Sequence, residues 1–434
     1  MRKKVLVAQS GGPTVAINAS LAGVIAGITQ SGEYEVFGAS NGIMGVLDES
    51  FINLSEFQED VRNGKESVSE IKVSQPDGTF ETWSPKSMID RLAITPSMYL
   101  GSCRYKLPSV EDGAEIYEKI FSVLDKNDIG MFFYIGGNDS MDTVNKLSAY
   151  GKSINSDIRF AGVPKSIDND LPVTDHTPGY GSAAKYIAAS MAEMAHDVKI
   201  YDIPCVTIVE LMGRNAGWLT AAAALARNEF NEMPQLVYLP EVDFDKDRFI
   251  EDVKKELKKS NCVMAAISEG IHDSEGNYIS AGTSDVFGHN QLGGAAKALE
   301  ILVKDKIGIK CRSVEINIMQ RCASHMASAT DIREAFELGV SAARYAVAGN
   351  SGFIPVLKRV SETPYRYDIE YIELGCIANI EKKVPIEWIN KEHNDVTKEI
   401  AGYIKPLIRG EIEVPYKDGI PDYLWQSDRT LQKC

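Results

Sequence analysis

The chain has 434 residues, 44% hydrophobic and 25% charged, which is long for one apolar core and comfortable for two α/β lobes. Its formal net charge of −15 argues against nucleic acid or an anionic membrane as partner, because both need a basic face. The sequence has no apolar run of roughly eighteen residues to span a bilayer, and a small anionic ligand would have to be held locally by a few cations, magnesium and backbone amides.

The amino-terminal MRKKVLVAQSGG passes directly into a strand-like run, and reads as neither a signal peptide nor an anchor. From there a repeated unit follows, an apolar run, then a glycine or charged turn, then helical periodicity. VLVAQ leads to Gly11 and Gly12, with a helix opening at Asn18-Ala19-Ser20; MFFYIGG ends at Gly137 before Asn138 and Asp139; RFAGVP leads to Lys165. TDHTPGYGS interrupts the pattern at Pro178-Gly179, then VTIVELM ends at Met212 before Gly213 and Arg214, and VMAAISE ends at Glu269 before Gly270. Residues 283–311 read as a connecting excursion, and the last fifty as irregular structure wrapping back over a domain, anchored by aromatics. The seven cysteines, Cys103, Cys205, Cys262, Cys311, Cys322, Cys376 and Cys434, are scattered without CxxC spacing, as expected of reduced thiols in a cytoplasmic protein.

Strand followed by helix, repeated, predicts an α/β fold of two Rossmann-like three-layer lobes with mostly parallel sheets and the active site in the cleft between them. The expected division is residues 1–178 with about 320–375 for one lobe, and 179–319 with about 376–434 for the other.

Four segments carry chemistry. In SGGPTVAIN the glycine pair frees loop amides to point at a phosphate, although a tight βα turn without ligand has the same form. In YIGGNDSMDT, Asn138 and Asp139 offer oxygen ligands suited to Mg²⁺, against the plainer reading that either one caps the next helix. GVPKSIDNDLP places Lys165, Ser166, Asp168 and Asp170 within six residues, joining a phosphate clamp to a general base. That density of charge after an apolar strand is unusual for a solvated turn. Arg214 adds a bidentate cation, supported by Arg104 and Lys106 of LGSCRYK and by Arg312 and Arg321 of CRSVEINIMQR.

The order and separation of GG, GSCR, GGNDS, PKSIDND, MGR, SEG and QR resemble the phosphofructokinase family over nearly all of residues 1–350. That resemblance implies fructose 6-phosphate as acceptor, Mg²⁺ as cofactor and a symmetric homodimer or homotetramer. It implies Asp168 as the base at the sugar C1 hydroxyl, with Ser166 and Ile167 beside it in the substrate loop and Asp170 on the same side. Met212, Gly213, Arg214 and Glu269 resemble the sugar contacts, and Arg312 and Arg321 the cations of the 6-phosphate. Gly11, Gly12, Gly137, Arg104 and Lys106 fall on the donor side, with Asn138 and Asp139 at the metal. ATP-using members carry glycine at the positions of Asp139 and Lys165, so the pair resembles the pyrophosphate-dependent group, Asp139 excluding the α-phosphate of ATP by bulk and charge. Most of that group has aspartate where this chain has Asn138. Cys205 stands where bacterial ATP enzymes have an arginine reaching a neighbouring subunit, and Ala22 and Ala26 stand where allosteric ones have arginines, which implies no such regulation.

Two rivals have sequence support. Gly179-Tyr180-Gly181-Ser182-Ala183-Ala184 fits the loose GxGxxA pattern of a nicotinamide-binding dehydrogenase, but no apolar strand precedes it. A non-catalytic sugar-phosphate sensor would share the fold but has no use for a base at Asp168.

Overall fold

In the computed structural model, which describes residues 3–72, 82–200, 202–279, 294–377 and 381–426, the apolar runs read above are strands and most of the segments after them helices. Residues 283–293 of the excursion and Cys434 lie outside the described residues.

The first sheet has seven strands, β1 (Lys4–Gln9), β2 (Glu35–Ala39), β3 (Phe51–Asn53), β4 (Ile129–Gly136), β5 (Arg159–Pro164), β10 (Phe353–Glu362) and β11 (Tyr365–Glu373). Their order is β11-β10-β5-β4-β1-β2-β3. Neighbours from β10 to β2 run parallel, and only the edge strands β11 and β3 pair antiparallel. One face packs on the helices Ile17–Ser31 and Ala329–Val347, the other on Val110–Lys126 and Asn138–Ser153. Ala22 and Ala26 are wholly buried in the first of these layers.

The second sheet, β7-β8-β6-β9, is parallel throughout, with β6 Cys205–Leu211, β7 Leu236–Tyr238, β8 Cys262–Ser268 and β9 Lys310–Glu315. The helix Tyr180–Lys199 and the C-terminal helix Lys398–Ile404 cover one face, and Lys246–Leu257 with Ala295–Lys306 the other. Two helix-covered, mostly parallel sheets are the expected three-layer lobes. Among the described residues no helix is long and apolar enough to cross a membrane.

Strand order explains where a ligand can sit. From β1 the chain proceeds to β2 on one side, while its other neighbour is β4, so their carboxyl ends open a crevice at a topological switch point. In the second sheet the chain runs from β6 past β8 to β7, and β6 and β8 end side by side with Leu211 opposite Ser268. The helix at the GxGxxA segment has no such opening. Gly179 N–H donates to Asp331 Oδ1 at 2.8 Å and Ser182 N–H to Asp331 Oδ2 at 3.0 Å. A fully buried carboxylate of the chain itself thus takes the anion position of that helix, which leaves no place for a dinucleotide.

Candidate active site

The crevice at the ends of β1, β4 and β5 is a cavity of about 760 Å³ lined by Gly11, Gly12, Gly137 to Ser140, Lys165, Ser166, Asp168, Asp170, Glu381 and Lys383. The helix Asn138–Ser153 opens into it with Gly137 as N-cap and no side-chain cap, so its first amides face the cavity unclaimed by a capping side chain. Neither Asn138 nor Asp139 caps that helix, contrary to the plainer reading of the sequence.

Lys165, the residue after β5, is 2% exposed and donates from Nζ to Gly12 O at 2.6 Å. It ties the first glycine turn to the PKSIDND loop. Burial lowers its pKa to about 8, although Asp168 and Asp170 oppose the shift. Burial, with Asp170 and Glu269 adding to it, pushes Asp168 up to about 6, while Lys165 and Arg321 pull it down. Burial thus moves the Asp168 carboxyl towards neutrality, where a general base is most effective.

The loop is fixed by Asn169 between the two aspartates. It is fully buried and held at φ 54°, with Oδ1 accepting from Thr177 N–H at 3.0 Å and Nδ2 donating to Tyr403 Oη at 2.9 Å. This turn sends Asp170 back over Ser166, whose Oγ donates to Asp170 Oδ1 at 2.9 Å, and under Asn138, whose Nδ2 donates to Oδ2 at 3.0 Å. Burial raises the Asp170 carboxyl against those hydrogen bonds.

Because Asn138 gives its amide to Asp170, its Oδ1 is left buried without a hydrogen-bond partner. A buried orphan oxygen beside a carboxylate fits Mg²⁺, which takes one or two protein oxygens and keeps its other positions for water and phosphate. Asp139, expected at the metal, is exposed at the cavity rim.

At the ends of β6 and β8, Glu269 Oε1 accepts from Gly213 N–H at 3.3 Å, and burial raises its carboxyl. Gly213 lies at φ 131°, and a Cβ on Gly270 would stand 1.9 Å from Arg214 O. The two strand ends therefore touch backbone to backbone. Arg214 is exposed and Met212 half-buried. Arg321 is close enough to depress Lys165 and to help hold Asp168 and Glu269 ionised. It also lines a separate cavity of about 490 Å³ with Cys322 and His325.

Not every expected residue is brought here. Arg312 pairs with Asp197 at 2.9 Å and does not line the cavity. Ile167 packs its side chain into the second apolar core with Leu211 and Trp218, so only its backbone can serve the site. Arg104 and Lys106 are exposed, on a segment joined to the glycine turn by Ser102 Oγ donating to Gly11 O at 3.0 Å. Sequence reasoning missed Asn169, Tyr403 and the Glu381–Lys383 stretch. The one available signal for that stretch was the charge run in IEKKVP, which ordinarily marks a solvated face.

The family model of phosphofructokinase matches residues 4–346. A pyrophosphate–fructose 6-phosphate 1-phosphotransferase of Methylococcus capsulatus is 37% identical over 96% of this chain and 94% of its own length. One from Xanthomonas campestris is 41% identical over 96% and 95%. Among solved structures, a pyrophosphate-dependent phosphofructokinase from Nitrosospira multiformis superposes with a TM-score of 0.83 at 35% identity, covering 98% of this chain and 96% of that one.

Proposed function

The chain belongs to the phosphofructokinase family, and from that premise we infer that it transfers a phosphoryl group from pyrophosphate to the C1 hydroxyl of fructose 6-phosphate, giving fructose 1,6-bisphosphate and phosphate. The observation that carries the donor is Lys165 buried against Gly12 O with Asp139 at the rim of the same cavity, in a chain whose full-length relatives are named for pyrophosphate. Asp139 is set to repel the α-phosphate of a nucleotide, and a compact donor needs no room there.

In this reading the Asp168 carboxylate takes the proton from the C1 hydroxyl. That oxygen bonds to the terminal phosphorus while the bond from phosphorus to the bridging oxygen breaks, and phosphate departs. Lys165, already fixed by Gly12 O, meets the charge that gathers on the departing phosphate and loses little in reorganisation. Gly11, Gly12, Gly137 and the first amides of Asn138–Ser153 hold the donor, with Arg104 and Lys106 as outlying cations. Asn138 Oδ1 and Asp170 would hold Mg²⁺, which when bound neutralises phosphate charge. Glu269, Met212, Gly213, Arg214 and Arg321 form the sugar-phosphate side. A working homodimer or homotetramer in the cytoplasm, with the six described cysteines as free thiols, belongs to the same proposal, as does the division into a donor lobe and a sugar lobe.

The test is a side-by-side assay with magnesium, fructose 6-phosphate and either pyrophosphate or ATP. Turnover with pyrophosphate and little with ATP is expected; a preference for ATP refutes the donor, and no turnover with either refutes catalysis.

A further inference from the structure

The cavity is acidic for a site that must take a polyanion. Four carboxylates, Asp139, Asp168, Asp170 and Glu381, line it against two lysines, Lys165 and Lys383. Lys165 is buried and already committed to Gly12 O. Lys383 is exposed and, among the described residues, in no ion pair or hydrogen bond, although its charge acts to lower the Glu241 carboxyl.

The backbone around Lys383 is nevertheless held on both sides. Lys382 N–H donates to Asp170 O at 2.7 Å, and Trp218 Nε1 donates to Lys382 O at 3.0 Å. Val384 N–H donates to Glu241 Oε1 at 2.9 Å, and its side chain is 1% exposed. Lys382 turns the opposite way from Lys383, giving Nζ to Asp175 O at 2.6 Å and Thr174 O at 3.3 Å. Glu381 is engaged by Asn215 Nδ2 at 2.9 Å. A fixed backbone carrying an exposed ammonium head without a hydrogen bond at a cavity wall is what an anion-binding lysine needs, because the backbone ordering is complete before the ligand arrives.

Building on the pyrophosphate reading, we propose that Lys383 is a pyrophosphate-binding residue delivered to the donor cavity by the C-terminal segment, with Lys382 as the positioning residue that seats it on the catalytic loop. The segment thereby ties donor binding to the loop that carries Asp168, through Lys382 N–H on Asp170 O and Lys382 Nζ on Asn169 Oδ1 at 3.4 Å. A lysine serves here as a point charge on a flexible stem, so arginine can substitute for it in part.

The experiment measures KM for pyrophosphate and for fructose 6-phosphate, with the thermal midpoint as a folding control, in the parent, Lys383→Met and Lys383→Arg. Lys383→Met should raise the pyrophosphate KM about 10-fold, as for loss of one charge-assisted contact at an exposed position, and leave the sugar KM within about twofold. Lys383→Arg should recover most of the loss. Added monovalent salt should raise the pyrophosphate KM more steeply in the parent than in Lys383→Met, since the contact is screened. An unchanged pyrophosphate KM, an equal rise in both KM values, or parallel salt slopes overturns the assignment of Lys383 while leaving the pyrophosphate reading intact. A parent without pyrophosphate turnover overturns both.

Discussion

Gly270→Ala probes how closely the ends of β6 and β8, proposed above to hold the sugar phosphate, must approach. The added Cβ would lie 1.9 Å from Arg214 O, 2.6 Å from Arg214 C and 2.9 Å from its Cα. All three are backbone atoms, so no side chain can swing aside. Restoring an ordinary contact of about 3.4 Å moves the Gly213–Arg214 turn or the end of β8 by roughly 1.5 Å. Such a shift costs about 1–3 kcal/mol of stability. It also displaces Arg214 and loosens the hydrogen bond from Gly213 N–H to Glu269, which stands at 3.3 Å. Misplacement on that scale costs about 10²-fold in kcat/KM, and the loss should fall on fructose 6-phosphate, because Gly11, Gly137 and Lys165 stand on the other sheet. Steady-state kinetics with each substrate varied, alongside a thermal melt, measures it. Gly402→Ala is the control, since Gly402 is exposed, lies within the helix Lys398–Ile404 and has nothing within 4 Å of its built Cβ; it should leave kinetics unchanged and stabilise by about 0.5–1 kcal/mol. Near-normal sugar kinetics in Gly270→Ala, or an equal rise in the pyrophosphate KM, would falsify the argument.

Asp168 at about 6 and Lys165 at about 8 predict a bell-shaped kcat/KM, falling below about pH 6 as the base protonates and above about pH 8 as the cation is lost. Asp168→Asn should lower kcat by at least ~10² and abolish the acid limb; a variant that keeps either turnover or that limb removes Asp168 from the reaction. Asn138→Asp should lower the magnesium concentration for half-maximal activity, since a carboxylate oxygen replaces the orphan amide oxygen, and the same titration curve in both proteins would dissociate residue 138 from the metal. His176, buried between Asp175 Oδ1 at 2.8 Å and Glu334 Oε2 at 2.6 Å, has its pKa raised to about 9 despite burial, by Glu334 first and then Asp175. Its contribution to stability is complete below its unfolded value near 6.5 and disappears as pH rises through about 9. Urea midpoints should therefore fall across that window in the parent and stay flatter in His176→Gln; matching curves would count against an ionised His176.

The sequence by itself determined the alternation of apolar strand, glycine turn and helix, and with it the parallel sheets and the strand ends where a ligand binds. It also marked Lys165, Asp168 and Glu269, because each follows an apolar strand within a few residues and the chain's own geometry carries it to the crevice. Tertiary structure alone decided which of these groups face one another. Asp170 was legible as a loop aspartate, but its place under Asn138 depends on Asn169 being anchored by Tyr403, 234 positions along the chain. Arg312 satisfies the motif spacing and yet turns to Asp197 on a helix 115 residues away. The Glu381–Lys383 stretch reads as a solvated charge run until its backbone is seen to bond the loop that carries Asp168 and Asp170. Local patterns record how a segment folds against its immediate neighbours, whereas the partner of a charged side chain is set by long-range packing, which carries no periodic trace in the sequence.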